Sequence, residues 1–546
     1  MNLTKEKKVN LDNIVNLRKI NVNTEKQTNS ALKSKIPSPF YTLTDETDNT
    51  LIFESRFESG NLLASYKLNE STYQLILQND TNTHGYSQWF FFKVSNVKKG
   101  RTVHFNILNM LKSYSLFNKG MKISVYSEKK AEKEKIGWHK SGENIVYYKN
   151  GLFKWSKNNR RYMNSLSFTY EFEFDNDIVY FAKAIPYTYT RLNIELNEYQ
   201  LKEKKYPFFY RKMLCNTLAG NSLDYVIITE AENENQQVFL RNINSHSAYS
   251  AGGGKNEGWG KNKQGVVIMA RAHPGETPGS WMMKGIIDFL LGNSNEAKFL
   301  RNKYIFKIIP MLNPDGVICG NYRTSIAGCD LNRRWNKPNE NIHPEIFFAK
   351  QMIMKFAGAR DICLICDLHG HTGAHNVFIY GNNNKDDPVA CRIFPFLISK
   401  ITDVFNFKQC SFKMSKNKRG TAKINLFKEI NKEFFSLPNV FTMEASFCGG
   451  SVVSLINFIN IKGKYEGKHF STQALMEIGR NIVLSIITYD DIIKGRKIVL
   501  KLDKGKLIEY NKERIQNELE AIIEEKRKMI NSHTNVNVNN GIGNIY

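Results

Sequence analysis

The feature that most constrains the fold is an apolar run, residues 265–272, followed at once by the sequence HPGE at residues 273–276. A helix-like stretch then leads to Leu291. An apolar run of this length, bounded by turn residues, is typical of a buried strand. In an open α/β sheet, ligands bind in the crevice outside the carboxyl ends of the strands. The segment therefore predicts a sheet with a functional site at that edge.

Three later apolar segments, residues 304–311, 362–368 and 440–443, lead into polar residues in the same way. The residues that follow them are Arg323, Asp330, Asn332 and Arg333, then His369 and His371, and finally Glu444. Alternation of such strands with helical patterns predicts an α/β sheet. The four strands would bring these side chains to one edge.

This combination resembles the zinc metallocarboxypeptidases, in which His-x-x-Glu and a distant His hold the metal. Arg and Asn-Arg bind the substrate in that family, and a late Glu is catalytic. The flanking sequences HPGET, PMLNPDGV, GCDLNRRW, CDLHGHTGAHNVF and TMEASFCGG are similar to the cytosolic carboxypeptidase (tubulin deglutamylase) branch. The resemblance covers about residues 40–500. It implies a mixed-sheet zinc carboxypeptidase domain preceded by an all-β sandwich domain.

His273, Glu276 and His369 are the predicted zinc ligands. A catalytic zinc needs three protein ligands and one open position, and two nitrogens with one carboxylate oxygen suit it. His273 and Glu276 are three residues apart at a strand-to-helix turn, so both can face one point. His371 competes with His369, but the Asp-Leu-His match to the family favours His369. His371 would lie on the same face of an extended segment and contact substrate. We expect one zinc ion per chain.

The resemblance assigns the other polar residues. Asp330 matches the carboxylate that holds the first zinc-binding His, although an Asp that caps a helix is the alternative. Glu444 matches the catalytic base, and Arg323 matches the cation that stabilises the oxyanion. Asn332 and Arg333 match the clamp for the terminal carboxylate, for which a planar guanidinium is well suited.

Specificity is predicted to depend on Lys423. The deglutamylases carry a basic group near a Gly-Thr-Ala/Gly-Arg stretch, and this chain has Gly-Thr-Ala-Lys at residues 420–423. Lysine keeps the positive charge but loses the two-point geometry of arginine. The alternative is a solvated basic loop, with Arg419 as the nearest substitute for the pocket cation.

The pattern divides the chain into four parts. Residues 1–38 are polar and predict a disordered extension. Residues 39–196 contain short β-rich runs separated by turns, which is typical of a sandwich. Residues 197–500 would form the catalytic domain. Residues 501–546 would form a helix, predicted from Leu507 to Ile530, and then a disordered Asn-rich tail.

The formal net charge of +25 favours an acidic partner, although abundant background lysine is the alternative explanation. No stretch approaches the roughly 20 apolar residues of a membrane helix, and the first residues are too polar for a secretory signal. The eight scattered cysteines are expected to be reduced thiols. We therefore expect a cytoplasmic monomer, associated with microtubules or cilia if at all, that binds neither membranes nor nucleic acid.

The function predicted first is a zinc carboxypeptidase that removes glutamates from the ends or polyglutamyl side chains of acidic protein tails, with tubulin as the partner implied by the resemblance. A zinc amidohydrolase of small acylated amino acids is an alternative enzyme. A catalytically inactive microtubule- or nucleic-acid-binding protein is the alternative from another class. Neither a zinc ligand nor the catalytic Glu is missing, which favours the enzyme.

Overall fold

A computed structural model describes residues 41–156, 159–202, 204–242, 263–384, 386–434, 439–450, 468–501 and 507–539. The predicted disordered extension at residues 1–38 lies outside these ranges. The last seven residues of the predicted Asn-rich tail, 540–546, also lie outside them.

The first domain contains ten strands between residues 52 and 182 of the described chain. They are β1 (Ile52–Glu54), β2 (Leu62–Asn69), β3 (Thr72–Leu77), β4 (Phe91–Ser95), β5 (Thr102–Met110), β6 (Ile123–Ser127), β7 (His139–Ser141), β8 (Glu143–Ser156), β9 (Asn159–Glu171) and β10 (Val179–Ala182). A 3-10 turn at Leu116–Lys119 and a short helix, α1 (Glu128–Glu134), interrupt them.

These strands form two five-stranded sheets, with the orders β1-β4-β10-β6-β7 and β2-β3-β5-β9-β8. Alternate residues of the strands point inward, as Val103, Phe105 and Ile107 of β5 do, and all three are fully buried. The inward side chains of both sheets form one apolar cluster, rich in phenylalanine. The predicted β-sandwich is thus observed.

Helix α2 (Tyr189–Leu201) connects this domain to the next. Thr188 caps it, because its side chain accepts a hydrogen bond from the backbone N–H of Arg191. The predicted domain boundary, between residues 196 and 197, falls inside this helix. Leu192 and Leu196 pack in the core of the second domain.

The second domain is built on a seven-stranded mixed sheet with the order β11-β12-β14-β13-β15-β17-β16. Its strands are β11 (Phe209–Asn216), β12 (Ser222–Ile228), β13 (Gln264–Ala270), β14 (Tyr304–Ile309), β15 (Ile362–His371), β16 (Val377–Tyr380) and β17 (Asn439–Ser446). The four central strands, β14, β13, β15 and β17, are parallel to their neighbours within this group. Their carboxyl ends therefore meet at one edge.

Helices cover both faces of this sheet, which explains why its central strands are apolar throughout. They are α3 (Glu234–Asn242), α4 (Thr277–Leu290), α5 (Asn295–Lys303), α6 (Pro314–Ile318), α7 (Pro344–Ala359), α8 (Ala390–Ile401), α9 (Ala422–Phe434) and α10 (Thr472–Ile493). Val266 and Ile268 of β13 pack on one face with α4 and α10. Val267 and Met269 pack on the other face with α7 and α9. Further 3-10 turns lie at Leu331–Arg333, Phe407–Gln409 and Lys416–Lys418.

Helices α4 and α10 approach each other closely because each presents a glycine to the other. A Cβ atom on Gly285 would lie 2.0 Å from the backbone oxygen of Met476, and one on Gly479 would lie 1.9 Å from that of Met282. Only glycine fits at these two positions. This packing fixes α4, whose first residue follows Glu276, against the sheet.

The C-terminal part differs from the prediction. Leu507–Tyr510 is not helical but forms strand β21, which pairs with β20 (Ile498–Lys501), because cross-strand bonds satisfy its backbone. Two residues later the long helix α11 (Lys512–Asn539) begins, and it extends past the predicted end at Ile530. A short pair of strands, β18 (Gly449–Gly450) and β19 (Lys468–His469), contacts the sandwich, because the backbone N–H of Lys122 donates to His469 Nε2. Within the described residues, no helix combines the length and apolar character needed to cross a membrane.

Candidate active site

The turn after β13 is held by a buried arginine. Arg271 has a φ of +62°, an uncommon backbone conformation for a residue other than glycine. Its guanidinium donates to the backbone oxygen of Pro274 at 2.9 Å and to that of Tyr187 at 3.0 Å. It also donates to Ser280 Oγ at 2.9 Å, at the start of α4. These bonds fix the HPGE turn between strand and helix.

His273, Glu276 and His369 converge at the carboxyl edge of the sheet, and all three are buried. His273 Nδ1 lies 3.1 Å from Glu276 Oε1 and 3.1 Å from His369 Nδ1. His369 Nδ1 lies 2.8 Å from Glu276 Oε2. The backbone N–H of Gly370 donates to Glu276 Oε2 at 3.0 Å, and a Cβ atom there would meet Phe447 at 2.7 Å. The structure thus brings the three predicted ligands together.

The second ring nitrogen of each histidine faces a carboxylate. His273 Nε2 lies 3.1 Å from Asp330 Oδ1, and His369 Nε2 lies 2.7 Å from Asp367 Oδ2. A neutral imidazole that donates from Nε2 carries a lone pair on Nδ1. The two Nδ1 atoms lie 3.1 Å apart and beside the Glu276 carboxylate. Their lone pairs would repel one another and the carboxylate unless all three groups faced a shared cation. The donor set therefore fits zinc, with carboxylates that orient both histidines.

The charge of Glu276 follows from the same contacts. Burial opposes its ionisation, but when the two imidazoles are protonated rather than bound to a cation, the charges and hydrogen bonds of His273 and His369 outweigh burial and hold the pKa of Glu276 well below its usual value. The carboxylate is consequently available as an anionic ligand.

Glu444 lies on β17 in register with His369 on the neighbouring β15, and it lines the same pocket. Burial raises the pKa of its carboxyl to about 7 against the lowering effect of the His369 charge, and the nearby Glu276 also raises it. A carboxyl with a pKa near neutrality can both accept and return a proton. Its position and its pKa match the predicted role of base.

Arg323 lines the pocket and is fixed from two sides. Its Nε and Nη2 atoms lie 2.8 and 2.7 Å from Asp330 Oδ2, which leaves other N–H groups of the guanidinium for substrate. Asp80 of the sandwich accepts backbone N–H bonds from Tyr322, Arg323 and Thr324 at 2.6 to 2.8 Å. The first domain therefore positions the loop that carries Arg323.

Asp330 satisfies both interpretations of the sequence. It contacts His273 and Arg323, and it also caps the 3-10 turn by accepting the backbone N–H of Asn332 at 3.0 Å. Asn332 Nδ2 lies 3.1 Å from His369 Nε2, and its Oδ1 accepts the N–H of Ala422 at 3.0 Å. Arg333 lies beside it in the pocket wall. The predicted carboxylate clamp thus lies next to the metal-ligand cluster.

Lys423 lines the pocket from the first turn of α9. Its Nζ donates to the backbone oxygen of Gly381 at 2.5 Å and to Asn382 Oδ1 at 3.2 Å, both of which are neutral. Burial, with a smaller effect of Lys418, lowers the pKa of Lys423 to about 8. Lys423 is therefore buried, whereas the alternative interpretation placed it in a solvated basic loop. Arg419, the substitute named from the sequence, is exposed.

The charge of the pocket is predominantly positive. Its cationic lining residues are Lys112, Arg323, Arg333, Lys418 and Lys423, whereas its carboxylates are Glu276 and Glu444. The Lys418 ammonium lies 4.1 Å from the centre of the Tyr380 ring. Such a surface favours an anionic ligand.

His371 also lines the pocket but stands apart from the three-residue cluster. Its Nδ1 accepts backbone N–H bonds from Gly373 and Ala374 at 3.3 and 3.0 Å. Burial, with the nearby Lys112, lowers its pKa to about 4. A neutral ring with its Nε2 N–H directed away from the backbone remains suited to a substrate contact.

Among the charged residues at this site, Asp80, Lys112, Asp367 and Lys418 have no counterpart in the sequence predictions. For Asp367 a signal existed, because it precedes His369 by two residues on β15 and alternate strand residues share a face. Asp80 and Lys112 belong to the other domain, and no local pattern connects them to the site.

Two family models match the chain. The model described as zinc carboxypeptidase matches residues 196–419. The model described as cytosolic carboxypeptidase N-terminal domain matches residues 53–183. The two matches correspond to the two domains of the fold.

Similar curated proteins include cytosolic carboxypeptidase 2 of Xenopus tropicalis, 40% identical over 450 residues, which are 82% of this chain and 42% of that protein. Cytosolic carboxypeptidase 3 of Bos taurus is 38% identical over 82% of this chain and 41% of its own length. Cytosolic carboxypeptidase 2 of Homo sapiens is 37% identical over 82% of this chain and 46% of its own length. The chain spans less than half the length of these three relatives.

Solved structures show the same fold. A metallo-carboxypeptidase from Burkholderia cenocepacia superposes with a TM-score of 0.60 at 20% identity, over 81% of this chain and 100% of that one. A metallo-carboxypeptidase from Pseudomonas aeruginosa gives a TM-score of 0.56 at 18% identity, over 80% and 99% of the two chains. At these identities the likeness is one of fold. The predicted fold class is confirmed.

Proposed function

The chain belongs to the zinc carboxypeptidase family and carries the N-terminal domain of the cytosolic carboxypeptidases, and from this premise we propose that it is a metallocarboxypeptidase with one zinc ion per chain. Its proposed substrates are acidic protein tails, tubulin tails among them, from which it removes glutamates at the C-terminal end or on polyglutamyl side chains. It would act in the cytoplasm as a monomer.

The chemistry proposed for the site rests on residues that converge within one pocket. Zinc held by His273, Glu276 and His369 would supply Lewis-acid chemistry, which polarises a peptide carbonyl and makes water a stronger acid. Glu444 would take the proton from the attacking water and return it to the leaving amine. Arg323 would stabilise the negative charge that develops on the carbonyl oxygen of the substrate.

Exopeptidase action requires recognition of a free carboxylate. Arg333 lies in the pocket wall beside Asn332, whose side chain is held by the N–H of Ala422. A guanidinium can bind a carboxylate through two parallel hydrogen bonds. This pair would place the terminal residue next to the metal ligands.

The observation that carries the preference for glutamate is the environment of Lys423. Its ammonium is buried in the pocket wall, and its hydrogen-bond acceptors, Gly381 O and Asn382 Oδ1, are neutral. A buried cation without a bonded carboxylate gains most from an acidic side chain of the substrate. Lys418 adds a second positive charge to the same pocket.

The test is a mass-spectrometric assay of the purified, zinc-loaded chain on matched peptides. One pair ends in Glu or Leu, and a second pair carries linear or branched polyglutamate on a tubulin-tail sequence. We expect release of single glutamates and a strong preference for the peptide that ends in Glu. Glu444→Gln serves as the inactive control. Equal kcat/KM values for the Glu and Leu peptides would refute the acidic specificity, and no release from any peptide would refute the carboxypeptidase activity.

A further inference from the structure

Glu444 lies on β17 between two stretches of chain to which two different lysines are bonded. Glu444 is paired with His369, whereas Thr442 and Ser446, on either side of it along β17, are paired with Asp367 and His371. Two residues along a strand span about 6.6 Å. The stretch from Thr442 to Ser446 therefore has two ends, one on each side of Glu444.

Lys423 lies at the Thr442 end. Thr442 is paired with Tyr380 on β16, and Lys423 Nζ donates to the oxygen of Gly381, the next residue. The helix that carries Lys423 is bonded to Asn332 through the N–H of Ala422. The pocket cation and the carboxylate clamp are thus on the same side of Glu444.

Lys112 lies at the Ser446 end. Ser446 is paired with His371, and Lys112 Nζ donates to Oγ1 of Thr372, the next residue, at 2.6 Å. Lys112 follows strand β5 of the sandwich, so the first domain contributes a cation to the pocket. The two lysines approach the reacting centre from opposite ends.

The position of Lys112 is fixed by its backbone. Gln88 Oε1 accepts the N–H of Lys112 at 3.0 Å, and the Tyr147 hydroxyl donates to its carbonyl oxygen. The ammonium lies 5.0 Å from the centre of the Tyr322 ring. Among the ion pairs of the described residues, none involves Lys112; burial lowers its pKa, and the more distant carboxylates Glu276 and Glu444 act in the opposite direction. A held, partly buried cation with a neutral partner is suited to an anionic ligand.

In a carboxypeptidase the released residue occupies one side of the scissile bond and the retained chain occupies the other. The proposed function assigns the released residue to the side of Lys423 and the carboxylate clamp. The retained chain must then pass the opposite end, where Lys112 lies. We propose that Lys112 binds the acidic side chain of the residue immediately before the scissile bond, so that the two domains together recognise two consecutive glutamates.

An anchor between the domains is the simpler role for a lysine at this position. Lys119 has that role nearby, because its Nζ donates to the backbone oxygen of Gly373 at 3.2 Å while its side chain is exposed. Lys119 does not line the pocket. It is therefore a matched control, with the same charge and a contact to the same loop but no place in the pocket lining.

The experiment uses the full zinc-loaded chain and two peptides that both end in Glu and differ only at the preceding residue, Glu or Gln. The measured quantity is the ratio of the two kcat/KM values. We expect wild type to favour the Glu-Glu peptide about tenfold or more. Lys112→Gln should bring the ratio close to one, Lys112→Arg should keep most of it, and Lys119→Gln should keep the wild-type ratio.

The inference rests on the proposed function, and the same series separates the two. If wild type cleaves the Glu-Glu and Gln-Glu peptides with a kcat/KM ratio near one, the role proposed for Lys112 is overturned. The preference for a terminal Glu over Leu would still stand in that case. Equal loss of activity on both peptides in Lys112→Gln also overturns it, because a merely structural lysine would act on both alike. Loss of the preference for terminal Glu over Leu in wild type would instead refute the proposed function.

Discussion

Reversal of the charge at Lys423 should abolish the preference for acidic residues while leaving the metal site in place. Lys423 lies in the first turn of α9, and its Nζ is bonded to Gly381 and Asn382 rather than to a zinc ligand. The expected consequence of Lys423→Glu is a selective loss of the release of a terminal Glu. Zinc content should change little by comparison.

The magnitude follows from the contact that is lost. A hydrogen bond to a charged group contributes about 1.5–3 kcal/mol, and every 1.4 kcal/mol is a factor of ten. Lys423→Gln should therefore reduce the ratio of kcat/KM for peptides ending in Glu and in Leu by about 10- to 100-fold. Lys423→Glu should reduce the ratio further, because repulsion between two carboxylates is added to the lost attraction.

The pH dependence provides a second, independent measurement. The pKa of Lys423 is lowered to about 8, so the charge is present below that pH and lost above it. Because kcat/KM reports ionisations of the free enzyme, the preference for Glu should be complete near pH 7 and should decline above about 8. Lys423→Arg should extend the preference to higher pH, since arginine stays protonated.

Two results would refute this reasoning. An unchanged Glu-to-Leu ratio in Lys423→Glu would show that another cation selects the side chain, with Lys418 as the first candidate because it lines the pocket. If the wild-type ratio of kcat/KM for the Glu and Leu peptides is constant from pH 6 to about 9.5, the charge of Lys423 does not determine the preference for Glu.

Three further predictions concern the metal, the base and the stability. His369→Ala should lose most of the bound zinc, and full stoichiometric zinc by metal analysis would exclude His369 as a principal ligand. Glu444→Gln should retain fold and zinc but lose turnover by roughly a hundredfold or more, so near-normal turnover would contradict its role. Glu345 lies in the first turn of α7, where burial raises the pKa of its carboxyl from 4.5 to about 7. The fold is therefore fully stable with respect to this group below pH 4.5 and loses stability as the pH rises from 4.5 through about 7. Glu345→Gln should thus raise the free energy of unfolding at pH 8 by at most roughly 3 kcal/mol, with little effect at pH 4. Equal changes at both pH values in denaturant titrations would disprove this.

The core of the site could be predicted because its residues are local to strand ends. His273 and Glu276 lie in the turn after β13, His369 lies on β15 and Glu444 lies on β17. Each therefore comes at or just after an apolar run, and the sequence predicts that the carboxyl ends of such strands share one edge. The extent of the C-terminal helix could not be predicted in the same way. The apolar residues of Leu507–Tyr510 fit a helical spacing as well as an extended one, and the pairing with β20 decided between them.

The sequence by itself determined the family and the fold class, and it named the residues that the structure brings together at the carboxyl edge of the sheet, because these residues lie in short contiguous motifs. Only the tertiary structure decided what the first domain contributes. Lys112 and Thr372 are 260 residues apart, and Asp80 reaches Arg323 across 243 residues. Such contacts depend on how the sandwich docks on the sheet, where Tyr322 and Phe447 pack into the sandwich core. That docking is set by the complementarity of two folded surfaces, which no local periodicity records.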